Sequence, residues 1–224
     1  MELDNIIYPG FNKTLSELNA ISKIKKKSCE IVDLTEIEWV RDVLRHRVEE
    51  VGTYDIKFRK PTDEEIKSVS EIVGADINID ELKNNFHKNK RIIGITSGKG
   101  GVGKSTITSL LGIAFDELGK KVGIMDSDIW GYSVPKILGA KFPPIPFNER
   151  IFPSRINNLN VISMDYFVKQ DEAVIWRGPM LHKAIEQFLF EVLWHDIDVL
   201  LIDMPPGTGD VSISLSQFLK YFEN

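Results

Sequence analysis

Gly98-Lys99-Gly100-Gly101-Val102-Gly103-Lys104-Ser105-Thr106 is entered from Arg91-Ile92-Ile93-Gly94-Ile95-Thr96-Ser97 and left through Ile107-Thr108-Ser109-Leu110-Leu111. Gly98, Gly100, Gly101 and Gly103 let the backbone fold back so that consecutive N–H groups point into one concave space, which suits a polyphosphate. The apolar run before the glycines reads as a buried strand. After them, Leu110, Leu111, Ala114, Phe115 and Leu118 recur at helical spacing until Gly119. A strand, a glycine loop and a helix N-terminus in that order make a phosphate site.

The spacing from Gly98 to Ser105 satisfies G-x-x-x-x-G-K-[ST] in the context that this motif requires. The nucleotide-binding residues are therefore expected to be Gly98, Lys99, Gly100, Gly101, Val102, Gly103, Lys104, Ser105 and Thr106. Lys104 would neutralise the β and γ phosphates of ATP, Ser105 would offer its hydroxyl to Mg²⁺, and Thr106 would sit near the α-phosphate. Lys99 is not required by the common motif. The fuller pattern K-G-G-x-G-K-[ST] resembles the deviant Walker A loop of the family that includes nitrogenase iron protein, MinD and ParA. That resemblance implies a catalytic lysine, Lys99, reaching across a homodimer to the partner's nucleotide; the plain alternative is a solvated loop lysine.

Two further apolar runs deliver carboxylates. Lys121-Val122-Gly123-Ile124-Met125 reads as a buried strand that leads into Asp126-Ser127-Asp128, and the run from Asp198 to Asp203 leads into Met204-Pro205-Pro206-Gly207-Thr208-Gly209-Asp210. Ligands of open α/β sheets collect at the carboxyl ends of the strands, so Asp126 and Asp203 are expected beside Mg²⁺. Asp128 is expected to orient the water that attacks the γ-phosphate. Pro205, Pro206 and Gly207 form a loop suited to sensing a γ-phosphate.

The chain has 224 residues, 42% of them hydrophobic and 27% charged, enough for one large or two small domains with a real core. A net charge of −5 argues against nucleic-acid or acidic-membrane binding, which needs Lys and Arg in excess on one face. No apolar run approaches membrane length, and Met1-Glu2-Leu3-Asp4-Asn5 lacks a leader's basic-then-apolar pattern, so a cytoplasmic protein is expected. The single cysteine, Cys29, lies in an alternating stretch and reads as a small core residue rather than a ligand.

Residues 1–60 read as a small α+β domain. Ala20 to Ile24 and Cys29 to Leu34 are expected strands, Ile37, Val40, Leu44, Val48 and Val51 line one helical face, and Tyr54, Ile56 and Phe58 alternate as a third strand before Pro61. Residues 61–90 read as a linker with short helices. Thr62-Asp63-Glu64-Glu65 has the form of a capping box, and Gly74 is the stop. Residues 91–224 are the expected nucleotide domain. Within it, the proline-rich and aromatic Ala140 to Pro153 reads as a surface loop, Asn160 to Met164 as a strand, and Pro179 to Leu193 as a helix. His46, His87, His182 and His195 have no evident ligand partners.

In this order, S-G-K-G-G-V-G-K-S-T, D-S-D-I-W-G-Y-S-V-P, W-R-G-P-M and D-M-P-P-G-T-G-D resemble the Mrp/ApbC family of P-loop ATPases over about residues 91–218. Tyr8-Pro9-Gly10 and the segment after it resemble the opening of the small iron–sulfur-assembly domain that precedes such ATPases, with Tyr8 where an acidic residue is usual. The resemblance implies a parallel-sheet P-loop NTPase, ATP hydrolysis, a homodimer, and an iron–sulfur cluster delivered to recipient apoproteins. The family's cluster-binding Cys-x-x-Cys lies in a continuation past Leu219 that this chain lacks. The nucleotide domain is therefore expected to be incomplete at its carboxyl end, leaving Ile92–Thr96 with an unpaired edge. Two other readings stay open: a localisation switch like MinD or ParA, and a docking module without catalysis.

Overall fold

The computed structural model describes residues 2–25, 28–85, 90–129, 131–167, 178–194, 197–207 and 210–219. In chain order the elements are β1 (Ile7–Tyr8), β2 (Lys13–Thr14), β3 (Ile21–Lys25), β4 (Ser28–Val32), α1 (Glu38–Val51), β5 (Asp55–Arg59), α2 (Asp63–Val73), α3 (Ile79–Asn85), β6 (Arg91–Ile95), α4 (Lys104–Glu117), β7 (Val122–Asp126), α5 (Val134–Leu138), β8 (Ile145–Phe147), β9 (Arg150–Phe152), β10 (Ser154–Ile156), β11 (Leu159–Ser163), α6 (Gly178–Phe190), β12 (Val199–Asp203) and α7 (Asp210–Leu219). They gather into two compact units. One holds Met1–Asp76 with Ile145–Phe152, the other Ile77–Pro144 with Pro153–Asn224.

The first unit is built on the sheet β3-β4-β5, with β3 and β4 antiparallel and β4 and β5 parallel. The parallel pair needs a crossover, and α1 supplies it, burying Val40, Leu44 and Val48 at every fourth position. Cys29 is buried on β4, paired across the sheet with Ile24 and Ile56. Tyr8 is fully buried, and its phenol oxygen accepts the Leu34 N–H at 2.9 Å, an anchoring role for this departure from the acidic residue. At α2 the capping box is complete: Thr62 Oγ1 accepts the Glu65 N–H at 3.2 Å, and the Glu65 carboxylate accepts the Thr62 N–H at 2.9 Å. Gly74 ends the helix in the left-handed region at φ +63.

The stretch read as a surface loop, Ala140 to Pro153, contains a hairpin that belongs to the first unit. Ile145, Phe147, Arg150 and Phe152 are buried in strict alternation across β8 and β9, and Asn148 and Glu149 make the turn at φ +45 and +61. Phe152 and Phe147 pack their rings 4.4 and 5.1 Å from Phe11, Asn148 donates to Ser70 at 2.8 Å, and a Cβ at Gly10 would overlap Ile145. Three prolines in 140–150 suggest a loop, whereas the period-two burial that defines the hairpin is only three residues per strand. The unit therefore draws on a segment far along the chain. It also includes α2, which sequence reading assigned to a linker.

The second unit is an α/β layer around the sheet β10-β11-β7-β12-β6, in which β11, β7, β12 and β6 are parallel and the edge strand β10 is antiparallel. Every residue of β7 and β12 is buried, as a parallel strand covered on both faces should be. Gly123 is required there because a Cβ would lie 2.8 Å from the Trp194 ring. β6 pairs with β12 and is the end strand of the sheet. Arg91 N–H and Ile95 C=O point to β12, so the backbone groups of Ile92 and Gly94 face the open edge.

Helix α4 is turned the opposite way from what its apolar spacing suggests. The buried positions are Lys104, Thr108, Ser109 and Gly112, whereas Ile107, Leu110, Leu111 and Leu118 are exposed, Leu118 by 74%. Gly112 lies so close to β7 that an added Cβ would come 2.6 Å from Ile124 Cδ1, and a large residue on this face would push the helix off the sheet. The helix is placed by close approach of small residues rather than by its hydrophobic stripe.

Two outcomes follow from these contacts. Gly112→Leu should destabilise the protein by about 1–3 kcal/mol in urea unfolding through overpacking, and Leu110→Gln should stay within about 0.5 kcal/mol of wild type. Arg59 and the Thr62 N–H hold the Glu65 carboxyl down at about 2. A depressed carboxyl stabilises the fold above its unfolded value and loses that contribution as pH falls through the folded one. Thermal unfolding of Glu65→Gln between pH 5 and pH 2 should therefore lack a component of wild type's acid loss on the order of 1 kcal/mol.

Candidate nucleotide site

Residues 97–103 join β6 to α4 at the carboxyl end of the sheet. Gly101 and Gly103 have φ +74 and +92, where a side chain would be strained, and an added Cβ at Gly98, Gly100, Gly101 or Gly103 would meet nothing within 4 Å. The glycines are thus not required by crowding from the protein; they line open space. Gly103 is the N-cap of α4 and offers no side-chain acceptor to the first N–H groups of the helix, an arrangement that can accept an anion. Ser105 is half-buried, and Lys99, Val102 and Thr106 are exposed.

Beneath this cradle sits a buried charge cluster. Lys104 is only 8% exposed, and its Nζ lies 2.7 Å from Asp203 Oδ1 and 3.4 Å from Asp128 Oδ2. Asp203 and Asp126 end β12 and β7 at paired positions, which brings two carboxylates to the same point of adjacent parallel strands. The Asp203 Oδ2 atom is buried and has no hydrogen-bond partner among the described residues. Ser127 ties the strand ends together, its N–H and its hydroxyl both donating to the Asp203 carbonyl, at 3.0 and 2.8 Å.

Asp126, like Asp203, is fully buried. Its Oδ2 accepts from the N–H groups of Ser133 and Val134 at 3.1 and 3.2 Å and from the Ser163 hydroxyl at 3.1 Å, and its Oδ1 accepts from Asp128 N–H at 3.3 Å. Burial, and after it the neighbouring Asp203, pushes its carboxyl up to about 7 against these hydrogen bonds. It therefore also fixes the start of α5, a structural duty that its place after a strand does not reveal. Asp128 Oδ1 accepts the Gly131 N–H at 3.1 Å, which orients the carboxylate toward Lys104.

Lys104, Asp126, Asp128 and Asp203, each singled out from the sequence, are thus brought together. Thr108 was missed: its hydroxyl is fully buried and lies 3.1 Å from both the Lys104 carbonyl and Asp203 Oδ1. The available signal was its position, one helical turn beyond Lys104 on the inward face. Ser127 and Ser163 were also missed, since their hydroxyls bond to Asp203 and Asp126 on other strands, as was Ser97, whose hydroxyl donates to the Lys99 carbonyl. His182 Nδ1 is 3.1 Å from Ser214 Oγ, and its ring stacks on Phe218, 4.6 Å away, a packing role. Trp176, Arg177, His87, His195, Thr208 and Gly209 lie outside the described residues. No helix among the described residues is long and apolar enough to cross a membrane.

Comparison with known proteins agrees with this geometry. The model of the ParA family, described as NUBPL iron-transfer P-loop NTPase, matches residues 88–224. The iron–sulfur cluster carrier protein of Helicobacter pylori is 34% identical over 222 residues, covering 96% of this chain and 59% of that protein. Its counterpart in Aquifex aeolicus is 35% identical over 224 residues, covering 93% and 62%, and that of Mycobacterium leprae is 47% identical over 133 residues, covering 59% and 35%. The chain therefore spans about a third to three fifths of the length of these relatives. A solved nucleotide-binding protein from Archaeoglobus fulgidus, in complex with ADP, superposes with a TM-score of 0.52 at 34% identity, covering 64% of this chain and 56% of that one. Motif order, sheet topology and the matched extent lead to one assignment: the chain belongs to the ParA/NUBPL family of iron-transfer P-loop NTPases.

Proposed function

We propose that the protein binds Mg·ATP at residues 98–106 and hydrolyses it to drive iron–sulfur cluster transfer to recipient apoproteins in the cytoplasm. The observation that carries this reading is the Lys104 ammonium, buried between Asp203 and Asp128 under an open glycine cradle. The ammonium is held by carboxylates, and in this reading a phosphate bound on the N-terminal N–H groups of α4 takes their place. Exchange of Asp203 for phosphate oxygens would leave Lys104 neutralised and the Asp203 carboxylate released.

The donor set fits Mg²⁺ approached through its water shell. Asp203 has an oxygen with no partner among the described residues, Asp126 is held in a form whose ionisation a divalent cation would favour, and Ser105 stands next to Lys104 on the first turn. When bound, the ion supplies neutralisation of the β and γ phosphate oxygens. Asp128 orients the attacking water, whose oxygen bonds to the γ-phosphorus as the bond to the bridging oxygen breaks, giving ADP, phosphate and a proton. Lys99, exposed on the loop, would meet the nucleotide of a second copy in a homodimer and stabilise the charge that develops on the leaving group. The cargo role rests on the curated relatives, which are named as iron–sulfur cluster carriers. Cys29 is not assigned to that cargo, because it is buried and burial pushes its thiol up, away from the thiolate that binds iron.

Calorimetric titration with ATP should show Lys104→Ala weakened by about a hundredfold or more, the loss of a buried phosphate-facing charge; equal affinity would overturn the assignment. Asp203→Asn should retain most nucleotide contact and lose the enhancement by Mg²⁺. In phosphate-release assays at concentrations where the dimer forms, Lys99→Ala should lower kcat by about 10²-fold while leaving ATP affinity within about threefold. An unchanged kcat would remove Lys99 from the chemistry.

A further inference from the structure

An added Cβ at Gly98, Gly100 or Gly101 would meet nothing within 4 Å, so side-chain packing does not set the orientation of the peptide that presents Lys99. A glycine turn left to itself would sample many orientations, and a group that stabilises developing charge must be held in place beforehand. Ser97 makes two hydrogen bonds at this point. Its hydroxyl donates to the Lys99 carbonyl at 3.0 Å, and its carbonyl accepts the Gly207 N–H at 3.0 Å. Gly207 turns the chain at φ +82, and its own carbonyl accepts the Ser212 hydroxyl, from α7, at 3.3 Å. The first half of the phosphate loop and the loop after β12 are therefore one hydrogen-bonded unit with Ser97 as the shared member.

We propose that Ser97 is the positioning residue for Lys99. Its hydroxyl fixes the Lys99 peptide, and its carbonyl joins that peptide to Pro205-Pro206-Gly207, so Lys99 is presented in its working orientation when that loop is in place. The proposal rests on the reading above, that Lys99 acts on charge developing during hydrolysis. Ser97 acts only through Lys99; it is given no contact with phosphate. Threonine keeps the hydroxyl at this position and alanine removes it, which separates the hydrogen bond from the space that the side chain fills.

The test compares wild type, Ser97→Ala and Ser97→Thr of the whole chain with Mg·ATP as the probe. Loss of one hydrogen bond to the positioned peptide should lower kcat for phosphate release by about threefold to tenfold in Ser97→Ala. The dissociation constant for ATP should stay within about twofold, and Ser97→Thr should recover most of the rate. Hydrogen–deuterium exchange of the amides in 98–101 should be faster in Ser97→Ala than in wild type or Ser97→Thr, with β12 unchanged. Unaltered kcat and exchange in Ser97→Ala, or a loss of affinity that matches the loss of kcat, would overturn the proposal. Should wild type release no phosphate at all, the hydrolysis reading fails by itself, and exchange then decides for Ser97: acceleration confined to Ser97→Ala upholds its positioning role, and equal exchange refutes it.

Discussion

An ammonium removed from water must be paired, and the arrangement of the second unit around Lys104 follows from that requirement. Burying an unpaired ammonium costs on the order of several kcal/mol, a large share of a domain's net stability, so carboxylates have to converge on it, and Asp203 and Asp128 do so at 2.7 and 3.4 Å. Convergence in turn demands that β12 and β7 be adjacent, parallel and in the register that pairs Asp203 with Asp126. Ser127 secures the two strand ends by donating twice to the Asp203 carbonyl, and Thr108 bridges the Lys104 backbone and the Asp203 carboxylate. Two carboxylates hold the ammonium, and Asp126, buried beside Asp203 at the end of the next strand, has its carboxyl raised first by burial and then by that neighbouring charge.

The same site explains why α4 shows its small residues to the sheet. The helix must bring its first turn and its N–H groups to the ends of β6, β7 and β12, and the close approach at Gly112 against Ile124 makes that possible. Ile107, Leu110, Leu111 and Leu118 are left outward, next in the chain to a strand, β6, whose Ile92 and Gly94 backbone groups face an open edge. Both features belong to one strand–loop–helix segment, whose geometry is governed by the open glycine loop and the close approach at Gly112 and not by hydrophobic burial at its flanks. The first unit obeys the opposite rule. Phe11, Phe147 and Phe152 hold it by packing, and its polar contacts, Tyr8 to Leu34 and Asn148 to Ser70, satisfy groups that such packing has buried.

Much of this was determined by the sequence alone, wherever the signal is local. The glycine loop and its lysine, the strands that end in Asp126 and Asp203, the capping box at Thr62 and Glu65 and the buried face of α1 depend on spacing within a few residues. Backbone conformation and periodicity are short-range properties, so they can be read without knowing what lies opposite. What only the tertiary structure decided is whatever depends on a partner far along the chain. The outward stripe of α4 follows from how near β7 the helix lies. The β8–β9 hairpin joins a unit whose other residues end at Asp76, because Phe11 is what its aromatic rings meet. Asp126 anchors the start of α5, since the N–H groups of Ser133 and Val134 and the hydroxyl of Ser163 all donate to it. Ser97 opens the glycine motif, yet nothing local signals its distant partner: its carbonyl accepts the N–H of Gly207, more than a hundred residues later.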